Sequence, residues 1–272
     1  MTSQILNSFQ FNLFRQILAM EGLDLTENAR EVFELRIQRF AIRHGLPLDQ
    51  LPFLLKQDET LRIALAESLI IHESYFYREA HHFTTLTRHL LPERITCTDR
   101  PISILSAGCA RGEEAYSIRI SILEALPQVS SQIKITGVDR SKEMIDAAQV
   151  GLYSIHALRE VPARLSEKYF AQQMSDLFSP NSEVREGVDF FQLDLLKESL
   201  NKEVYDIIFC RNVMMYLTSD ARERLKSNFE TALKPGGSFF FGTTEVFSNP
   251  PVTLRKSQSG NSFFFKKVGE CS

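Results

Sequence analysis

Between an apolar run, Ile102 to Leu105, and a helical pattern that begins at Glu113, the chain reads SAGCARGEEAYS over Ser106 to Ser117. A short buried strand that turns within a few residues into a helix opens a parallel α/β sheet. Ligands of such sheets bind outside the carboxyl ends of the strands, where free backbone N–H groups converge. Gly108 and Gly112 let the backbone turn tightly and approach a ligand closely, and Glu113 and Glu114 follow at the helix start. Two acids there repel a pyrophosphate and suit a cofactor that carries an ammonium group or ribose hydroxyls. The glycines by themselves also fit a plain strand–helix turn with acidic helix-start residues.

The rest of the chain supplies the context. Apolar runs bounded by turns recur at Ile133 to Val138, Tyr205 to Cys210 and Ser238 to Phe241, with amphipathic stretches between several of them. This alternation predicts the α/β class, a parallel sheet covered on both faces. The second strand, KITGVD, ends at Asp139, placed either to accept from both hydroxyls of a ribose or to cap a helix starting near Ser141. VDFFQLD ends at Asp194, an acceptor for an adenine amino group or another helix cap. YDIIFCRNVMMY sets Arg211 and Asn212 at the crevice, with Tyr216 one helical turn on, as a functional group or as a core tyrosine with its hydroxyl at the surface. LKPGGSFFFG reads as helix, forced turn and strand.

Upstream, from Phe9 to about His89, apolar residues fall three and four apart, as in Phe33, Ile37 and Phe40, which predicts a helical domain. Leu91 to Pro101, with two prolines, reads as a linker, and the polar stretch Tyr153 to Val188 reads as an insertion.

Composition narrows the function classes. A chain of 272 residues with 43% hydrophobic and 24% charged content suits two domains with real cores. The net charge of -3 gives no global field for nucleic acid, which is not expected as a partner. Four cysteines without a C-x-x-C pair point to a reducing compartment, and the short apolar runs to a cytoplasmic protein without membrane insertion. His81 and His82 lack a third ligand at helical spacing, so no metal site is expected.

At this point the residues resemble the CheR family, chemotaxis receptor methyltransferases that esterify glutamates on methyl-accepting receptors. The resemblance runs through GLDLTENAREVFELRIQR, HESYFYREAHHF, SAGCARGEEAYS, ITGVD, FCRNVMMY, LKPGG and GTTEVFS, and so covers nearly the whole chain. It implies an α/β fold in which a Rossmann-like S-adenosylmethionine-dependent methyltransferase domain, with a small inserted β-subdomain, is preceded by an all-α N-terminal domain. The expected boundaries are 1–90 for the helical domain, 91–101 for the linker, 102–272 for the methyltransferase domain and 160–188 for the insertion. The implied cofactor is S-adenosyl-L-methionine, with S-adenosyl-L-homocysteine as product.

Carried onto this sequence, the cofactor contacts fall on His72, Ser74, Arg78, Gly108, Glu114, Asp139, Asp194, Leu195, Asn212 and Val213. Arg78 and Tyr216 lie nearest the reactive centre, and Glu113 is left to the helix start. The family generally has Asn and Thr where His72 and Ser74 stand, often Asn at Asp194, and commonly Lys at Ala29.

Arg36, Arg39 and Arg43, three and four apart, form a basic stripe that suits an acidic receptor helix, or else a solvated face paired with Glu31 and Glu34. The implied partners are the cytoplasmic helices of methyl-accepting chemotaxis receptors, approached by a monomer. AQQMSDLFSPNSEV lacks the glycine-bearing loop of members that grip a receptor tail, so tail-independent action is expected. Two other readings stay open: a methyltransferase with another protein substrate, and a cofactor-binding docking module without transfer activity.

Overall fold

The structure, a computed structural model, describes residues 6–70, 73–243, 245 and 250–269. The chain forms two compact units, one drawn from Met1–His72 and Met215–Arg224, the other from Glu73–Met214 and Leu225–Ser272. Among the described residues no helix is long and apolar enough to cross a membrane.

The first unit holds α1 (Ser8–Ala19), α2 (Arg30–Arg43), α3 (Leu51–Gln57) and α4 (Glu59–Leu69). Local chemistry sets their starts. Asn7 accepts from the Gln10 N–H while the Gln10 side chain accepts from the Asn7 N–H, a reciprocal cap of α1. Asp58 caps α4 through the Leu61 N–H at 3.0 Å. The predicted spacing points inward, burying Phe33, Ile37 and Phe40 with Phe11, Phe14 and Leu65 in one core. A buried ion pair, Arg62 Nε to Glu21 Oε1 at 2.7 Å, lies in the same unit, and Arg62 also donates to the Leu55 carbonyl. A late segment completes the unit. Leu217 bridges Leu23, the Asp24 N–H donates to the Tyr216 carbonyl at 2.9 Å, and the Thr218 N–H to that of Gly22 at 2.8 Å.

The second unit is built on a seven-stranded sheet of β1 (Ile102–Ala107), β2 (Ile133–Asp139), β6 (Val188–Gln192), β7 (Tyr205–Cys210), β8 (Leu233–Phe241), β9 (Leu254–Ser259) and β10 (Ser262–Lys267), in the order β6-β2-β1-β7-β8-β10-β9. The first five strands in that order run parallel. The expected all-parallel sheet is corrected at one edge, where β10 pairs antiparallel with both β8 and β9. The LKPGG turn also differs. Helix α11 (Ser219–Ala232) runs directly into β8, and the pairing jumps from Tyr205–Leu233 to Ile207–Ser238, so residues 234–237 bulge within the strand.

Helices α7 (Glu113–Ala125) and α8 (Lys142–Val150) follow β1 and β2. Ahead of the sheet, α5 (His81–Thr85), a π-helical turn over Leu86–Leu90 and α6 (Leu91–Cys97) follow one another without a break. Residues 91–97, expected as linker, are thus helical. Pro92 is the second residue of α6, directly after the π-helical turn. Phe83, Leu86, Leu90 and Leu91 share a core with Ile104, Ile207, Phe209 and Phe240, so these helices belong to the sheet unit rather than to a 1–90 domain. Asp206 anchors α6. It accepts from Arg94 Nε at 3.1 Å, Lys234 Nζ at 2.7 Å and the Ser103 N–H at 2.9 Å.

The insertion is a three-stranded antiparallel sheet of β3 (Tyr153–Ser154), β4 (Phe170–Met174) and β5 (Leu177–Pro180), ordered β3-β5-β4, with α9 (Ala163–Tyr169) between β3 and β4 and α10 (Ser182–Arg185) after β5. Its first strand precedes the expected start at residue 160. The segment 215–224, expected inside the 102–272 domain, folds with the helices instead.

Candidate cofactor site

The turn after β1 is fitted to its neighbours atom by atom. Gly108 has φ +71°, and the N–H groups of Gly108 and Cys109 both donate to the Val138 carbonyl at the end of β2, at 2.8 and 3.0 Å. A Cβ on Gly108 would lie 2.5 Å from Val213 Cγ2, so both the backbone angle and the neighbour demand glycine. Ala110 is also left-handed, at φ +48°. Asp139 holds it there, accepting from the Ala110 N–H on Oδ2 and from the Ser141 N–H on Oδ1, each at 3.0 Å. The two readings of Asp139 are therefore not exclusive: each oxygen caps or clamps backbone and keeps lone-pair capacity for a hydroxyl.

Both acids at the start of α7 are largely out of water. Glu114 Oε1 accepts from Ser106 Oγ at 2.6 Å and Oε2 from Arg211 Nη1 at 3.0 Å. Burial pushes its carboxyl above the ordinary range, against the opposing charge of Arg211. Glu113 does more than start the helix. It is 3% exposed, and burial raises its carboxyl likewise.

Arg211 is the hub that joins this turn to the HESYFYREAHHF segment. Its side chain, 2% exposed, reaches Glu114, Glu79 Oε2 at 3.1 Å and the Arg78 carbonyl at 2.5 Å, and its guanidinium lies 5.5 Å from the Phe83 ring. The backbone it holds is strained, with Tyr77 at φ +61° and Glu79 at φ +55°. Burial works to raise the Glu79 carboxyl, but the charge and hydrogen bond of Arg211, with hydrogen bonding from Thr243, outweigh it and hold the group below the usual range. For His82 the balance goes the other way. Burial, followed by the charge of Arg211, pushes the imidazole down to about 3, so it is neutral although Glu79 lies 3.6 Å away. Arg78 donates to the Glu73 carbonyl at 2.7 Å, and its guanidinium lies 5.7 Å from the Tyr75 ring. Arg159 stacks on the same ring at 3.6 Å, so two cations gather there.

The remaining strand ends complete the row. Asp194 follows β6, with Oδ1 accepting from the Leu196 N–H at 3.0 Å, while half-buried Leu195 uses its carbonyl to accept from Asn228. Asn212 follows β7 in the left-handed region at φ +59°, with Val213 next, against Gly108. Glu245 accepts from the N–H groups of Asn212, Met214 and Gly242.

The order β6-β2-β1-β7 therefore brings Asp194, Asp139, Gly108 with Glu114, and Asn212 with Val213 to adjacent strand ends, and Arg211 ties Arg78 to them. Other candidates lie elsewhere. Tyr216 belongs to the helical unit and packs beside its core, and His72 lies outside the described residues. Arg36 donates to the Ser68 and Ile70 carbonyls at 3.2 Å each, so it serves the end of α4, while Arg39 and Arg43 are exposed. Glu34 pairs with Arg30 at 2.7 Å and not with the stripe.

Sequence reasoning missed the partners of Arg211, half-buried Glu79 and buried Glu245. The available signal for Arg211 was a guanidinium at the end of an otherwise apolar strand, YDIIFCR.

The donor set fits S-adenosylmethionine. Three carboxylates, on Glu114, Asp139 and Asp194, suit its ammonium group, ribose hydroxyls and adenine amine, and Arg78 suits its single carboxylate.

Residues 72–263 match the family described as CheR methyltransferase, SAM binding domain. The chain belongs to the CheR methyltransferase family. It is 29% identical to chemotaxis protein methyltransferase 1 of Pseudomonas aeruginosa, over 94% of this chain and 97% of that one. Chemotaxis protein methyltransferase 2 of the same organism is 31% identical over 88% of this chain and 87% of its own length. For the chemotaxis protein methyltransferase of Borreliella burgdorferi the identity is 30%, over 83% of each chain. The Rossmann-like sheet of this CheR chain, with its helical N-terminal region, is the fold that such a domain requires, and the chain is a methyltransferase by family.

Proposed function

We propose that the chain esterifies glutamate side chains on the cytoplasmic helices of methyl-accepting chemotaxis receptors, using S-adenosylmethionine and releasing S-adenosylhomocysteine. The observation that carries this reading is the row of acceptors along β6-β2-β1-β7, tied through Arg211 to the segment bearing Arg78. The names of the relatives support the choice of acceptor.

Bound S-adenosylmethionine supplies a methyl group on a cationic sulfur. A glutamate with an ordinary pKa near 4.3 is already ionised at neutral pH, so no residue need act as a base. The methyl would pass from that sulfur to a carboxylate oxygen of the acceptor, leaving the sulfur neutral. The work of the chain is alignment and exclusion of water. Glu114 and Asp139 hold hydroxyl and ammonium donors, Asp194 with Leu195 and Asn212 with Val213 border the adenine side, and Arg78 fixes a carboxylate by paired hydrogen bonds.

Recognition of the receptor rests on α2. Its exposed surface carries Arg39 and Arg43 together with Val32, Leu35 and Ile42, a basic and apolar face that suits an acidic amphipathic helix. The insertion, whose β4–β5 connection contains no glycine, acts without a receptor tail.

Labelled methyl should pass to a receptor fragment as a base-labile ester. Failure with every receptor of the host would sink the reading. Arg78→Ala should lower transfer roughly 100-fold or more while the fold, checked by circular dichroism, is kept; a fully active variant would refute the role of Arg78.

A further inference from the structure

Glu245 has no part in the contacts assigned above, yet it is 9% exposed and its carboxylate is filled by main-chain donors. Oε2 accepts from the Asn212 N–H at 2.9 Å and the Gly242 N–H at 2.8 Å, and Oε1 from the Met214 N–H at 2.7 Å. Two of these donors belong to the turn after β7 and the third follows β8, the adjacent strand. The packing admits nothing larger: a Cβ on Gly242 would lie 2.9 Å from both Glu245 Oε2 and Asn212 Nδ2.

Asn212 and Gly242 lie outside the strands and helices, and Met214 opens a 3-10 turn, whose first N–H groups have no partner within the turn. Asn212 is in the left-handed region, which leaves its N–H turned away from the sheet, and a buried N–H needs an acceptor. A Glu side chain offers two oxygens with lone pairs enough for the three donors. The same turn carries Val213, whose Cγ2 fills the space that a Gly108 side chain would need. From Glu245 a continuous set of contacts therefore runs through Asn212 and Val213 to the glycine turn after β1.

We propose that Glu245 is a positioning residue of the cofactor site. Acting through the backbone of residues 212–214, it fixes Asn212 and Val213 in the geometry that receives S-adenosylmethionine, and touches neither cofactor nor acceptor itself. The proposal rests on the cofactor reading above. Its consequence is a selective one. Loss of the carboxylate weakens cofactor binding without altering affinity for the receptor, whereas a carboxylate that merely stabilised the fold would leave cofactor affinity intact in the folded protein.

The test is Glu245→Gln in the full chain, with dissociation constants for S-adenosylmethionine and S-adenosylhomocysteine measured by calorimetry well below the melting temperature. Gln offers one acceptor oxygen and turns an N–H₂ toward a donor. Both constants should rise about tenfold or more, a loss of about 1.4 kcal/mol, and in transfer assays KM for the cofactor should rise while KM for the receptor stays put. A folded variant that binds within about twofold of wild type overturns the proposal. If the Gln variant does not fold, Glu245→Asp, which keeps the charge but draws it back by one methylene, is held to the same criterion. Wild-type protein that fails to bind S-adenosylmethionine would instead refute the cofactor reading.

Discussion

A buried histidine that stays neutral is a pH sensor whether or not it has a function. His82 packs 5.2 Å from the Phe240 ring and carries its proton in the fold only below about 3. In the unfolded chain the imidazole takes up a proton near 6.5. The folded pKa is the lower of the two, so the contribution of neutral His82 is present in full above about 6.5 and is lost as the pH falls from there toward 3. Urea unfolding at pH 7.5 and pH 5 should show that stability falls with acid and that His82→Phe flattens the slope. An unchanged slope would mean that other groups carry the acid sensitivity. The same residue marks a limit of legibility. HH in REAHHF was readable as a pair without a third metal ligand, but Arg211 lies far along the chain, and nothing local announces that its charge sits beside the ring. Gly108 and Asp139 were readable because their roles follow from the end of a strand and the start of a helix.

Elements are held by a few long side chains, and the insertion is the plainest case. Glu124 on α7 accepts from Lys168 Nζ at 2.7 Å and from the Tyr169 hydroxyl at 2.8 Å, and pairs with Arg164, all three on α9. Its hydrogen bond with Arg164, followed by that with Lys168, draws its carboxyl down to about 2. A depressed carboxylate stabilises above its unfolded pKa, so this attachment is whole above about 4.5 and is lost as the pH falls toward 2. The basic partners are exposed, so salt screens the pairing and its worth to global stability is small. Glu124→Gln should therefore leave the melting temperature nearly unchanged yet speed amide exchange across residues 163–174. Exchange equal to wild type would show that the apolar contacts of α9 suffice. Strands β1, β2 and β7 were legible as short apolar runs. The antiparallel edge was missed although Gly260 and Asn261 stand between β9 and β10, a two-residue hairpin signal with Gly260 at φ +54°. The insertion stayed opaque because its strands alternate weakly and its tethers, such as Tyr169 on Glu124 and Tyr153 on the Arg111 carbonyl, join residues some forty positions apart.

For the molecule as a whole, the strand-end residues Gly108, Glu114, Asp139, Asp194 and Asn212 lie with Arg78 in one unit. A ligand bound to the folded state alone at 100 times its dissociation constant stabilises by about 2.7 kcal/mol. In a domain of this size that corresponds to a rise of about 5–10 °C in melting temperature. S-adenosylhomocysteine should produce such a shift in a thermal scan, and its absence at saturating concentration would count against the assigned site. The expected division near residue 91 failed for a physical reason. Helical periodicity continues from α4 into α5 and α6, and periodicity reports burial without saying against which core.

The chain passes between the two units three times, because residues 215–224 leave the sheet unit to join the helices and then return. Backbone bonds from Gly22 and Asp24 to the 216–218 segment make that excursion part of the helical unit's own framework. No single cut separates the two units. A gene fusion that exchanged only the first 72 residues would strand Tyr216 and its neighbours on foreign partners, so the helices and this short segment are tied to be inherited together.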